Sequence, residues 1–225
     1  MRMKMTHRKP MLVRDAVARL GRFAVVGLLS ALVAGCNAIV PKASDPPAYY
    51  SLNSERLENQ SDAALPPTRL TLIVNPPHAA SGFDSQRILY VRTDHQLEYF
   101  AHSEWVDTPA RMLAPLIVDA LTRSGVYRAV VPTPSATAGD IRLDSEIVRL
   151  QQEFGGPTSR VRFTLRAYLV DNATRRVLAW REFDAIEPSP SEDPYGGVIA
   201  ANRAVQKVLQ QLAAFAAETA RGKAP

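Results

Sequence analysis

Alternation at a period of two governs the C-terminal half of this 225-residue chain and leaves few folds open to it. Val161, Phe163, Leu165, Ala167 and Leu169 interleave with Arg160, Arg162, Thr164, Arg166 and Tyr168. Successive side chains of a strand point to opposite faces, so one face of this segment is core and the other is wet. Ile141, Leu143, Ser145 and Ile147 alternate in the same way until the phase slips at Val148 and Leu150. That slip reads as a β-bulge. Asp171-Asn172-Ala173-Thr174 then turns the chain into a third strand, Val177 to Ala185.

A half-buried sheet needs a cover, and two helices offer one. Thr108 stands at an N-cap with Pro109 at the first helical position. Met112, Leu116 and Ala120 with Leu113, Ile117 and Leu121 then recur every four residues, and Gly125 supplies the stop. Pro115 lies inside this helix at a cost of about 3 kcal/mol, which predicts a kink or a loose first turn near Arg111. The second helix is marked by Val198, Ala201, Val205, Val208, Leu212 and Phe215, spaced by threes and fours. Its heptad-like spacing would also serve pairing in a homo-oligomer, although core packing is the default.

Shorter elements complete the set. Tyr49 to Leu52 and the β-branched run Leu70 to Val74 read as strands, separated by a polar loop from Asn53 to Pro67. Ala79 to Asp84 makes a turn, and Ile88 to Arg92 with Gln96 to Phe100 form a hairpin around Thr93-Asp94-His95. A small strand at Ala129 to Val131 precedes a Pro/Ala/Thr loop, and three prolines mark the loop from Glu187 to Pro194. Runs of strands with two helices interposed argue an α+β fold: one mainly antiparallel sheet with both helices on one face.

The first 35 residues belong to none of this. Seven basic residues precede an apolar run from Phe23 to Ala34, short of the ~20 residues that cross a bilayer as a helix. The segment reads as a secretory signal. Leu32-Val33-Ala34-Gly35-Cys36 ends it in the form of a bacterial lipobox, with cleavage between Gly35 and Cys36 and lipid on Cys36. Alternatives are an ordinary cysteine behind a standard cleavage site, or an uncleaved anchor from Phe23 to Val40. A lone cysteine in an exported chain has no disulfide partner, and thioether attachment removes the free thiol. Asn37 stands where an Asp would favour inner-membrane retention in enterobacterial sorting, so the expected address is the outer membrane of a Gram-negative envelope, facing the periplasm. The chain thus divides into a signal peptide at 1–35, a lipidated tether at 36–47, a domain at 48–218 and a frayed tail at 219–225.

The leader also explains the charge. The whole chain holds 27 Lys and Arg against 22 Asp and Glu, with a pI near 9.6. Seven of the positive residues and one of the negative lie before Cys36, leaving 20 against 21. A nearly neutral mature chain gives no electrostatic case for nucleic-acid binding. Its 190 residues suit one domain with a tether.

Enzymatic chemistry finds little support. His78, His95 and His102 form no His-x-x-x-His pair, and no cysteine is free to join them, so no metal is expected. Neither Gly155-Gly156-Pro157-Thr158-Ser159 nor Gly196-Gly197 has the Lys and spacing of a phosphate-cradling loop. There is no Gly-x-Ser-x-Gly elbow, and the Asp84-Ser85 and His102-Ser103 neighbours point to opposite sides of the backbone. No catalytic residue and no cofactor beyond the lipid is expected. Asp84 and Arg87, three apart around a turn, are positioned to pair, and Trp105 reads as a lid on the core. The arginines from Arg160 to Arg166 read as a solvated face that could meet phospholipid headgroups or an acidic partner.

One block is more specific than any of these. Gly82-Phe83-Asp84-Ser85-Gln86-Arg87-Ile88-Leu89-Tyr90 is followed by Leu97-Glu98-Tyr99-Phe100, Trp105, Pro109-Ala110-Arg111-Met112-Leu113 and Ser124-Gly125-Val126-Tyr127. Together they resemble the ABC-type transport auxiliary lipoprotein component family, with Phe83 where the family usually has Leu and Thr108 in place of a second Pro. The likeness runs from about Tyr50 to Leu212. It implies a periplasmic lipoprotein with a fold similar to the TolB N-terminal domain. It also implies work beside an MCE-type substrate-binding protein, an ABC permease and an ATPase that move phospholipid or other apolar molecules between the two membranes, in MCE or Pqi-type systems.

On that resemblance Gly82, Phe83, Asp84, Arg87, Tyr99 and Trp105 are the candidates for a partner-docking or structural motif. Docking to the MCE protein is favoured over direct lipid acceptance, because the sheet and helix faces already use the apolar residues and leave little for a lipid-sized cavity. The alternative reading is an envelope-integrity or assembly lipoprotein with no transport role.

Overall fold

The computed structural model describes residues 46–53 and 67–223; the leader, Cys36, the tether to Asp45 and the loop at 54–66 lie outside them. The fold is built on one long strand. Counted along the chain, the elements are β1 (Ala48–Tyr50), β2 (Thr71–Val74), β3 (His78–Ala79), β4 (Arg87–Val91), β5 (Glu98–Trp105), α1 (Pro109–Arg123), β6 (Ala129–Pro132), β7 (Ile141–Glu153), β8 (Arg160–Asp171), β9 (Val177–Pro188) and α2 (Pro194–Lys223).

β7 is the spine. One of its edges pairs antiparallel with β8 over its whole length, from Ile141 opposite Asp171 to Glu153 opposite Arg160, and β8 pairs likewise with β9. The other edge serves three short strands in turn, all parallel: β2 beside Leu143, β3 beside Glu146 and β4 beside Gln152. Beyond these, β6 lies parallel to β2, β5 antiparallel to β4, and β1 parallel to β5 at an outer edge. Five of the eight pairings are therefore parallel, and the nine-stranded sheet is mixed rather than mainly antiparallel. Alternation reveals which face of a strand is buried; the direction of its neighbour depends on the connection. The hairpin and α1 that separate β2 from β6 give the chain room to cross over and return parallel.

Both helices lie on one face of this sheet, as the sequence predicts. Ile141, Leu143 and Ile147 of β7 join Phe163, Leu165, Ala167 and Leu169 of β8 in a single core with no solvent exposure. Leu113, Ile117 and Leu121 of α1 enter the same core, and so do Ala204, Val205, Val208 and Leu212 of α2. Burying each large aliphatic side chain contributes roughly 1.5–3 kcal/mol. The expected bulge is present: the β7–β8 register shifts between Ile147 and Arg149, which turns Leu150 and Gln152 inward.

Helix ends repay attention to single atoms. Thr108 occupies the N-cap of α1 but makes no side-chain capping bond; instead Asp107 Oδ1 accepts the Thr108 N–H at 2.8 Å and the same carboxylate meets Arg111 Nε at 3.1 Å. The helix runs unbroken through Pro115, which is exposed, and its first turn is closed by Met112 N–H donating to Thr108 O at 3.0 Å. The first turn is therefore not loose. Gly125 takes the left-handed conformation that ends the helix, at φ +65°.

α2 begins at Pro194, four residues before its first periodic residue. Asp193 Oδ1 accepts the Gly196 N–H at 2.7 Å and the Ser191 hydroxyl at 2.8 Å, which together hold its carboxyl below the usual range. Gly197 has a packing role: a Cβ there would collide with the side-chain Oε1 of Gln152. Gln152, itself buried, donates to Ser159 Oγ at 2.9 Å within the β7–β8 hairpin and to Asp193 O at 3.4 Å, which ties that hairpin to the start of α2. The Gly pair thus serves packing. At the other end the expected frayed tail is corrected as far as Lys223, which is helical; its Nζ donates to Asp140 O at 3.0 Å and to Asp171 Oδ2 at 2.5 Å.

Candidate functional site

The uncovered face of the sheet carries the exposed half of the alternation. Here β8 presents Arg160, Arg162, Thr164, Arg166 and Tyr168 between the outward residues of β7 and β9. Arg166 lies between Glu146 at 3.2 Å and Glu182 at 2.8 Å, and Arg142 meets Asp144 at 2.9 Å. Hydrogen bonding to Glu182 pushes the Arg166 pKa further up. Glu153 takes Arg160 at 3.0 Å and Arg162 at 3.2 Å, and Arg162 also faces Asp184 at 3.7 Å. The arginines expected as a solvated face do lie on the outer side, where cross-strand carboxylates match most of them.

At one end of this face lies a groove of about 930 Å³. Its walls are the β4–β5 turn, from Arg92 to Leu97, and the β7–β8 loop, from Gly155 to Thr158, with the bulged part of β7 as its floor. Phe83 and Ile186 close its flanks. Arg92 belongs to the turn wall, and its guanidinium rests over Tyr90 at 4.9 Å and Phe154 at 5.7 Å, rings outside the groove lining, within the range of cation–π attraction. Those rings form a cluster with Phe100, and the Tyr90 hydroxyl donates to Glu98 at 2.9 Å, which raises the Tyr90 pKa. Among the described residues neither Arg92 nor Arg149 has a carboxylate partner. Arg162 Nε is buried and close to Glu153 but not aligned for a hydrogen bond with it.

The motif residues divide between this region and the core. Gly82 has φ +93°, the left-handed region that favours glycine, and its missing Cβ would lie 3.7 Å from Leu97 Cδ1. Phe83 donates its N–H to Ala80 O at 2.9 Å and lines the groove together with Leu97. Asp84 is exposed and does not pair with Arg87, contrary to the sequence expectation. Arg87 instead lies over the ring of Tyr99, 4.1 Å from its centre, and Tyr99 is half exposed. Trp105 stands apart from these: it is buried in the core and takes no part in the outer surface.

Sequence reasoning gives Arg92 and Arg149 no role in a site, and Leu97 only a place in the motif block. The bulge at Val148 was the available signal, since bulges re-aim side chains beside functional surfaces. It also missed Trp180, 61% exposed and stacked on Tyr168 at 6.2 Å, at the far end of the same face.

On the helix side, an open cleft of about 450 Å³ lies between α1 and the ends of β2 and β6, lined by Val74, Pro76, Ala114, Pro115, Val118 and Pro132 among others. The expectation that the sheet and helix faces leave little for a lipid-sized cavity is corrected to that extent. Asp119, the charged residue at its rim, pairs with Arg123, so the cleft offers no free charge.

Among the described residues no group of three His, Cys, Asp or Glu side chains is placed to hold a metal ion, and no helix is long and apolar enough to cross a membrane.

Residues 50–213 match the family of ABC-type transport auxiliary lipoprotein components. The structure is similar to protein XCC0632 of Xanthomonas campestris, a DUF330 protein, with TM-score 0.70 and 25% identity over 78% of this chain and 97% of that one. An uncharacterised protein gives TM-score 0.59 and 14% identity over 76% of this chain and 99% of that one, a likeness of fold alone. Among curated proteins, none matches the chain in sequence.

Proposed function

The chain belongs to the ABC-type transport auxiliary lipoprotein component family, and from that premise we propose that its folded domain docks an MCE-type protein through the groove end of the uncovered sheet face. The auxiliary lipoprotein of an ABC-type transporter has a role that is not catalytic. In the proposed arrangement, signal cleavage leaves acylated Cys36 as the first residue, and residues 36–47 tether the domain at 48–218 to the outer membrane, on its periplasmic side. One acyl chain anchors marginally and several anchor firmly, so triacylation makes residence effectively permanent. The permease and ATPase act through the MCE protein, and the cargo is phospholipid or another apolar molecule. The proposal includes a likeness of fold to the TolB N-terminal domain.

A single observation carries the docking surface. Both helices cover one face of the sheet, while Phe83, Leu97 and Tyr99 stand on the other beside a groove, with Arg87 laid over the Tyr99 ring. Aromatic and Arg side chains of this kind are the usual anchors of protein interfaces.

The test is a pull-down of the acylated protein from envelope membranes, with Cys36→Ala and Phe83→Ala/Tyr99→Ala alongside. Capture of an MCE protein by the wild type, lost in a double variant that still folds, supports the assignment. Absence of any MCE protein from the wild-type capture would turn the balance to an envelope-assembly role without transport.

A further inference from the structure

The middle rows of the uncovered face are charge-matched, and the groove is not. In the middle rows Arg166 has Glu146 and Glu182, and Arg142 has Asp144. In the groove Arg160 and Arg162 share Glu153, so that carboxylate is already committed, while Arg92 and Arg149 have none. Asp94 is the other acidic residue of the lining, and it makes no ion pair among the described residues. Four arginines against two carboxylates leave a local surplus beside middle rows that are balanced. The guanidinium is the side chain best shaped to bind phosphate oxygens in pairs.

Apolar groups stand beside these cations: Phe83, Val91, Leu97, Val148 and Ile186 line the same space. A free phosphate would use the arginines and leave that shelf bare. An amphiphile whose anionic head is joined to hydrocarbon would use both. The volume of about 930 Å³ suits a headgroup with the first part of its chains, and the open form lets the rest remain outside.

Position favours the same ligand. β1 emerges from the tether and pairs with β5, the strand that leaves the groove's β4–β5 turn. Eleven residues separate Cys36 from Ala48, a reach of at most about 40 Å. Lipid on Cys36 would thus hold β1 within that distance of a bilayer surface, with the groove most of a strand's length farther on, because β1 pairs with the Ser103–Trp105 end of β5.

We propose that this groove holds the phosphate headgroup of an anionic phospholipid, with Arg92 and Arg149 on the phosphate and Phe83, Leu97 and Ile186 against the adjoining glycerol and chain. It deepens the docking reading, since a lipid seated beside the docked partner is placed for transfer, and it takes the membrane anchor from that reading.

The experiment uses the full acylated chain in cells fed radioactive phosphate. A benzophenone side chain is placed at Leu97, at Ile186 or, as the far-end control, at Trp180, and the irradiated protein is purified and digested with phospholipase. Benzophenone inserts into C–H bonds, so free phosphate gives no label. Label at Leu97 and Ile186 that phospholipase removes, at least about tenfold above Trp180 and lost in Arg92→Ala/Arg149→Ala, is the expected result. Arg92→Lys/Arg149→Lys, which keeps the charge, retains most of it. Equal label at Trp180, an adduct without acyl chains, or label indifferent to the arginines would overturn the proposal. Capture of the MCE partner is measured on the same double variants. Capture kept with label lost supports a headgroup site separate from docking, and loss of both would make the arginines docking residues and overturn it.

Discussion

One residue separates two kinds of surface on β8. Phe163 and Leu165 point beneath α2 and have no exposure, while Arg162 and Arg166 beside them point outward and are held by carboxylates of the neighbouring strands. Stability comes from the covered face through buried apolar area. The exposed face adds little, because matched ion pairs at partly exposed positions are worth about 0–1 kcal/mol each. A surface that the fold does not need is one that function can shape, and at one end of it the matching gives way to a cationic groove.

Substitutions should sharpen this contrast, beginning under the helices. Phe163→Ala removes a fully buried ring and is expected to cost about 3–5 kcal/mol, read from the urea midpoint. Gly197→Ala drives a methyl against the Gln152 carbonyl, whose amide is held by Ser159; it should cost about 1–3 kcal/mol and loosen the β7–β8 hairpin in amide exchange. Tyr127→Phe deletes the buried hydroxyl that donates to Ala216 O at 2.8 Å, at a cost of about 1–2 kcal/mol in the same denaturation assay. Burial already pushes that hydroxyl's pKa far up, so it stays protonated across any working pH.

Acid probes the seam between β8 and the end of α2. Lys223, with help from the Thr174 amide, holds the Asp171 carboxyl well below the usual carboxylate range. A depressed pKa stabilises the fold above the unfolded value of about 4 and loses that contribution as pH falls through the lower folded value. Urea midpoints from about pH 6 down to about pH 2 should therefore decline less steeply in Lys223→Ala than in the wild type. An unchanged slope would show that the pair is not formed in solution. On the uncovered face, Arg166→Ala should shift stability by no more than about 1 kcal/mol.

The covered face was the legible one. Its rows, the bulge after Ile147, the α1 periodicity and the stop at Gly125 are all local patterns, and periodicity in sequence translates directly into sidedness. Strand direction was not legible, since β3 and β4 owe their parallel pairing with β7 to connections whose paths only the whole fold defines. The candidate site fared in the same way. The block from Gly82 to Tyr90 was visible as a motif, but Arg87 chose the ring of Tyr99, twelve residues away, over the nearby Asp84. Trp105 read correctly as a lid on the core and so left the site. The groove itself needs a turn, a hairpin loop and a bulge brought together from three segments, and no local pattern announces that.

The two ends of the uncovered face give the most direct test of the docking account. The measurement is the dissociation constant for the MCE partner with wild-type protein, Phe83→Ala/Tyr99→Ala at the groove end and Trp180→Ala at the far end, each checked by thermal unfolding. The account predicts that the groove-end variant stays folded and weakens binding at least about tenfold, while Trp180→Ala binds as the wild type does. Unchanged binding by a folded Phe83→Ala/Tyr99→Ala, or a loss confined to Trp180→Ala, would contradict it.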